Sequence, residues 1–292
     1  MKPAAFDYVR AESPAHAVEI LAAVGSDAKL IAGGQSLMPM INFRLVQPAI
    51  LVDINGIAGL EQIEDQEHRV TFGALVRHRM TAASVLVRER IPVLHDAMRH
   101  VAHLTVRNRG TFCGSICHAD PAAEMPMLAL LLEGRVQMIS SRGTRELAMD
   151  DFLQSSLTTA LEPDEMVTGI TIDKPAATSG WAFAEFARRH GDYALAAVAV
   201  LLTRGEYGAR GVRIAMMGVG DRARRMIAVE RIVEGSQIDP VTVAAAVEQL
   251  RVDIEPPSDL GGSSEYRRYL AGELLAGALP LAWSRATDGR IS

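Results

Sequence analysis

The chain has 292 residues, 49% hydrophobic and 22% charged, with a formal net charge of −5. That length suits two domains, and the lack of a basic tail or Lys/Arg run argues against nucleic acid as a partner, because phosphate binding needs a clustered positive face. No apolar leader opens the chain and no window approaches the length of a membrane span, so a soluble, cytoplasmic protein with no membrane span is expected.

The first element is a helix over 14–24 (PAHAVEILAAV), with Ser13 as N-cap, Pro14 in the first turn and Gly25 as the stop. A short buried strand over 28–32 then runs into Gly33-Gly34, a Pro-interrupted helical segment over 36–45 follows, and 49–54 (AILVDI) reads as a second buried strand. Strand, Gly-rich turn, short helix and strand make a small βαβ-like lobe. Short strands are expected at 60–64 and 68–72, and helices at 79–88 and 91–102. The stretch 103–126 (HLTVRNRGTFCGSICHADPAAEMP) lacks core periodicity, with its middle, 109–115, reading as a Gly-containing loop. A helix over 123–132 comes next, then strands at 135–140 and 144–148, a helical turn at 150–153 and a strand at 166–172. Residues 175–180 are small and polar, as in a linker. Three long strands (181–188, 194–203, 211–219) and helices at 240–251 and 263–275 complete the chain.

Three patches carry candidate chemistry. In IAGGQSLMP, 31–39, Gly33 and Gly34 sit between strand and helix, where free N–H groups and close backbone approach suit a phosphate; a plain strand-to-helix turn is the bland alternative. The pattern matches neither G-x-G-x-x-G nor a P-loop.

In 103–126, Cys113, Cys117, His118, Asp120 and Glu124 lie close together, but their spacing lacks the second ligand pair of a structural zinc site. Nothing places a base and an acid around either thiol, so buried cysteines are the simpler reading. Two cysteines cannot hold an iron–sulfur cluster, so any redox chemistry needs an organic cofactor or another subunit. Gly110 and Gly114 permit close approach, and Thr111 and Ser115 offer hydroxyls to phosphate or ribityl oxygens. Asp120 and Glu124 suit sugar hydroxyls or ring N–H groups, although Asp120-Pro121 also reads as a turn capping the helix that follows.

In ARRHGDYALAAVAVLL, 187–202, Tyr193 at the mouth of a buried strand can stack on a flat ring or simply end the strand. Arg188 and Arg189 read as solvent-facing by default, His16, His68, His78, His95 and His100 as surface or capping residues, and the methionines as core filler.

Taken together and in this order, AGGQSLMPMINFRL (32–45), RNRGTFCGSICHADPAAEMP (107–126) and RRHGDYALAAVAV (188–200) resemble the FAD-binding medium subunit of molybdenum hydroxylases, the carbon monoxide dehydrogenase medium-chain and xanthine dehydrogenase FAD-domain family. The resemblance spans nearly the whole chain and implies an α+β fold. It places a vanillyl-alcohol-oxidase/PCMH-like FAD-binding domain at 1–175, with subdomains of about 1–56 and 57–175. A C-terminal domain over 178–285, a three-stranded antiparallel sheet with a helical bundle, follows.

The resemblance also assigns FAD contacts. Ala32, Gly33, Gly34, Gln35 and Ser36 would cradle the pyrophosphate, and Thr111, Phe112, Cys113, Gly114 and Ser115 would take its other side. Asp120 and Glu124 would contact the FAD, Val167 would line the adenine pocket, and Tyr193 would lie near the isoalloxazine. The chain departs from the family pattern at Gln35, where carbon monoxide dehydrogenases usually carry His, at Cys113, where Gly is usual, and at Glu185, where many relatives have Lys.

On this resemblance the chain is an oxidoreductase subunit with no catalytic residues and no metal ligands of its own. It would pass electrons from two [2Fe–2S] clusters on a small partner through FAD to NAD, a quinone, oxygen or another acceptor. A large partner would hold the molybdenum cofactor, in a dimer of heterotrimers. The alternatives are a self-contained FAD-dependent oxidase acting on its own small substrate and a scaffold with a degenerate nucleotide site.

Overall fold

The computed structural model describes residues 2–287. In chain order its elements are β1 (Asp7–Arg10), α1 (Pro14–Val24), β2 (Ala28–Ile31), α2 (Leu37–Asn42), β3 (Ile50–Asp53), β4 (Ile63–Asp65), β5 (Arg69–Gly73), α3 (His78–Ala83), α4 (Val85–Arg90), α5 (Pro92–Ala97), α6 (Leu104–Arg107), α7 (Phe112–His118) and α8 (Glu124–Leu131). They continue with β6 (Arg135–Ser140), β7 (Gly143–Ala148), α9 (Met149–Phe152), β8 (Leu153–Ser155), β9 (Thr158–Thr159), β10 (Met166–Asp173), β11 (Gly180–Phe186), β12 (Ala196–Arg204), β13 (Ala209–Met217), β14 (Arg224–Arg225), α10 (Ile227–Val233), α11 (Pro240–Asp253) and α12 (Ser264–Arg285).

The N-terminal lobe is a parallel sheet in the order β1-β3-β2. Helix α1 follows its sequence signals: Ser13 accepts from His16 N, Pro14 opens the first turn, and Ala17, Val18 and Leu21 are buried. The central strand β3 carries Leu51 and Val52 almost fully enclosed, as parallel strands with covered faces require. Strand β1 was not expected from the sequence. It is four residues long, mostly exposed, and exists because it pairs in parallel with β3.

The second lobe is an antiparallel sheet, β4-β5-β10-β6-β7. Helices α5, α7 and α8 supply most of the buried apolar side chains beside it: Met125, Met127, Leu128 and Leu131 are all fully enclosed. The expected 79–88 helix is two helices, because Ser84 is extended, ending α3 and capping α4 at Val87 N.

The C-terminal sheet runs β11-β12-β13-β14, three long antiparallel strands with a two-residue fourth that the sequence did not reveal. Helix α12 packs along β11 and β12 and runs ten residues beyond the expected end, passing through Pro280 to Arg285. Its Arg267 is 5% exposed; its Nη groups donate to Asp259 and to the carbonyl of Leu195, and its buried Nε has no partner. One apolar cluster joins Phe112 and Met125 of the second lobe to Phe183, Ala199 and Met217 of the C-terminal sheet, so the two share a core.

Candidate functional site

Strand β2 ends at Ile31, and Ala32–Ser36 turn the chain into α2. Gly34 has φ +68°, a left-handed conformation that glycine adopts without strain. Gly33 is needed for a different reason. A Cβ there would lie 2.5 Å from the carbonyl oxygen of Arg109 and 2.8 Å from Cα of Gly110. The two glycine loops therefore touch backbone to backbone. Gln35 folds back onto its own loop, donating to the Gly33 carbonyl at 3.0 Å, and the hydroxyl of Ser36 makes no capping bond to α2.

Between α6 and α7 the second patch is a loop over residues 108–111. Residues 112–118, read in part as loop from the sequence, form helix α7, because the Thr111 hydroxyl accepts from Gly114 N at 2.9 Å and Phe112 and Ile116 bury one turn apart. Phe112 is fully enclosed and stacks on Phe72 with ring centroids 4.9 Å apart. Cys113 is 2% exposed, its Sγ 3.7 Å from the Phe72 carbonyl. Both side chains point into the core and leave only backbone to a ligand, whereas Gly114 is exposed and Ser115 is half-buried. Burial raises the Cys113 thiol well above its usual range and pushes Cys117 up to about 12, so both thiols stay protonated and poorly nucleophilic at neutral pH.

Helix α7 ends at Ala119 in a left-handed turn, and Asp120 accepts from Ala122 N at 2.8 Å. Asp120 thus caps the turn and not α8, whose N-cap is Ala123 without a side-chain bond. Glu124 opens α8, and burial, together with the charge of Asp120, lifts its pKa to about 7. In the C-terminal sheet, burial and the charge of Glu124 lift Glu185 of β11 to about 8. The Oε2 of Glu185 is buried without a hydrogen-bond partner. Tyr193, 65% exposed, stands at the end of the 187–194 turn, within the field of Asp120 and Glu124. That turn packs on the second patch, since Gly191 has the ring of His103 where a Cβ would be, at 2.5 Å. Val167 sits in β10 at a bulge, enclosed in the same core as Phe112. Arg188 is exposed, as expected, and donates to the carbonyls of Leu260 and Gly261.

Three residues at the site escaped the sequence reading. Asn55, after β3, donates to the Ala32 carbonyl at 2.8 Å. Arg77 donates to the Arg109 carbonyl and to Asn55 Oδ1. His78, read as a surface or capping residue, is 5% exposed: its backbone N donates to the Gly110 carbonyl at 3.0 Å, and its ring occupies the space a Gly110 side chain would need. All three lie on other elements than the loops they hold, and no local motif marks them.

Burial, with Arg107 and Arg77 nearby, lowers the His78 pKa to about 4. The unfolded chain therefore binds this proton first as the pH falls, and stability drops between 6.5 and about 4. His78→Gln is expected to remove about 2 kcal/mol of the stability lost between about pH 7 and pH 5, at 1.36 kcal/mol per unit. Urea unfolding at both values checks this; equal losses in wild type and variant would refute it.

The arrangement suits an extended ligand with an anionic middle and a flat, hydrogen-bonding end. The glycine backbones of the two loops meet, while the unpartnered Glu185 oxygen and the exposed Tyr193 ring both lie within the field of the Glu124 carboxyl. A family model described as "FAD binding domain in molybdopterin dehydrogenase" matches residues 4–175, and one described as "CO dehydrogenase flavoprotein C-terminal domain" matches 181–280.

The chain belongs to this FAD-binding family of molybdopterin dehydrogenases.

A 6-hydroxypseudooxynicotine dehydrogenase complex subunit alpha of Paenarthrobacter nicotinovorans is 38% identical over 100% of this chain and 99% of that protein. The solved carbon monoxide dehydrogenase of Hydrogenophaga pseudoflava contains a chain 35% identical that superposes with a TM-score of 0.96, covering 98% of this chain and all of that one. A chain of quinoline 2-oxidoreductase from Pseudomonas putida 86 superposes at 0.93 with 37% identity, again over 98% and 100%. FAD is the cofactor of the family's N-terminal domain, and the chain is an oxidoreductase subunit with the expected α+β, two-lobed FAD-binding fold. Among the described residues no helix is long and apolar enough to cross a membrane.

Proposed function

We propose that this chain is the electron-transfer flavoprotein subunit of a molybdenum hydroxylase. It would receive electrons from two [2Fe–2S] clusters on a small partner and deliver them through FAD to an external acceptor. A large partner would hold the molybdenum cofactor and the organic substrate, in a dimer of heterotrimers in the cytoplasm. The observation that carries this reading is the backbone contact between Gly33 and Arg109–Gly110, which brings the two glycine loops together in a chain of this family. Two neutral, core-packed thiols are no cluster ligands, in keeping with clusters on a partner.

In this reading residues 1–175 hold the cofactor and residues 178–285 close over its ring end. Backbone N–H groups of Gly33, Gly34, Gln35 and Ser36 on one side and of Cys113, Gly114 and Ser115 on the other would bind the pyrophosphate. Thr111 and Phe112 would act by fixing that second segment, Thr111 as cap and Phe112 as its anchor in the core. Asp120 and Glu124 would meet hydroxyls or ring N–H groups, Ala32 and Val167 would form apolar wall, and Tyr193 would lie over the ring. FAD supplies a carrier that exchanges electrons singly or in pairs, and the chain binds it, orients it and leaves one edge accessible.

The purified chain is expected to show flavin absorption and to release FAD on denaturation, identified by chromatography. Co-expressed with neighbouring subunits, it should co-purify with one that carries iron and acid-labile sulfide. A colourless chain that takes up no FAD, alone or with partners, would sink the reading. A yellow chain that reduces its flavin with a small substrate and binds no cluster protein would favour a self-contained oxidase.

A further inference from the structure

We propose that Asn55 and Arg77 form one positioning clamp that sets the separation of the two glycine loops and, through it, the affinity for FAD. The proposal rests on the FAD reading above and concerns residues outside both loops.

The clamp is a chain of directed bonds. Asp53, the last residue of β3, accepts from Asn55 N at 2.8 Å and from Asn55 Nδ2 at 2.6 Å, both at Oδ1, and from the Tyr8 hydroxyl at Oδ2. Asn55 Nδ2 also donates to the Ala32 carbonyl at 2.8 Å, at the root of the first loop. Asn55 Oδ1 accepts from one Nη of Arg77, and the other Nη of Arg77 donates to the Arg109 carbonyl in the second loop. The amide can sit only one way round: reversed, its oxygen would face a carbonyl and a carboxylate, and its nitrogen would face a guanidinium.

The atom that Arg77 holds is the one that the first loop packs on. The Arg109 carbonyl oxygen lies 2.5 Å from where a Gly33 Cβ would be, so it is held between the guanidinium and the first loop. Arg77 is half-buried, and its two hydrogen bonds go to neutral acceptors, with Asp53 as the acidic charge that acts on it and Arg109 and Arg79 opposing. The planar fork reaches the two acceptors from two separate nitrogens, whereas a lysine would have to reach both from one. If either residue is lost, the other holds only one loop, so the two must act as a unit.

The test is the FAD dissociation constant of the full chain, followed by quenching of flavin fluorescence, for wild type, Asn55→Ala, Arg77→Ala and the double variant. Thermal midpoints of the flavin-free forms are recorded alongside. Each single variant is expected to bind FAD about tenfold more weakly, and the double no more than about twofold more weakly than the worse single. Independent effects would multiply to about a hundredfold and overturn the clamp.

Arg77→Lys keeps the charge and loses the fork, so it should bind like Arg77→Ala; wild-type affinity would show that charge alone acts and refute the proposal. Should an alanine variant fail to fold, Asn55→Asp decides. It keeps an acceptor for Arg77 but sets a carboxylate oxygen against Ala32, and wild-type affinity in it would also refute the clamp. A wild-type chain that binds no FAD would defeat the FAD reading itself, and with it the clamp, an outcome distinct from binding with independent effects.

Discussion

Gly33→Val is expected to leave a folded chain that binds FAD more than about a hundredfold more weakly than wild type. The added Cβ would stand 2.5 Å from the Arg109 carbonyl oxygen and 2.8 Å from Gly110 Cα. Both are backbone atoms, held by Arg77 and by the His78 N–H, so neither can swing aside as a side chain would. The loops must part by an ångström or more, and the N–H groups proposed to bind the pyrophosphate would lose both distance and angle to it. Folding should survive, because the contact lies between partly exposed loops and not in the core. Gly25→Ala is the control: Gly25 has φ +69° with nothing within 4 Å, so the change strains the backbone without touching the cleft. The released-flavin content of the purified proteins decides, and a Gly33→Val protein with full flavin would refute the cleft.

The second expected result is a stability loss of about 3–5 kcal/mol in Phe112→Ala, the range for emptying a buried aromatic site. Phe112 is fully enclosed, stacked on Phe72, and begins the helix that Thr111 caps. Its loss opens a cavity in the core that the second lobe shares with the C-terminal sheet. Phe112→Leu should lose markedly less, because most of the volume is kept. Urea unfolding of the flavin-free chain measures both. A direct flavin contact would give a different signature, a large change in FAD affinity with little change in unfolding. That result would place the Phe112 ring in the cleft and contradict its burial.

Much of the fold was legible because local signals agreed with the tertiary outcome. Helix α1 had a capping serine, an N-terminal proline, an apolar stripe and a terminal glycine, and strands such as β12 were long runs of small and branched apolar residues. Where local signals were weak, pairing and packing decided. Residues 7–10 became a strand only because β3 offered an edge, and α12 continued through Pro280 because β11 and β12 cover one of its faces. The helix at 112–118 was hidden by Gly114 and two cysteines, poor helix signals outweighed by burial of Phe112 and Ile116.

The sequence by itself determined the family, the cofactor and the two glycine loops, since three short motifs in fixed order need no coordinates to be seen. Only the tertiary structure decided that the loops meet, that Phe112 and Cys113 face the core, and that one oxygen of Glu185 is buried within reach of the charge of Glu124. Only there do Asn55, Arg77 and His78, remote in sequence, converge on the carbonyls of Ala32, Arg109 and Gly110. The reason is physical: a motif records what one stretch of backbone can do, whereas a carbonyl's partner and a side chain's burial depend on which distant segments folding brings within about 3 Å.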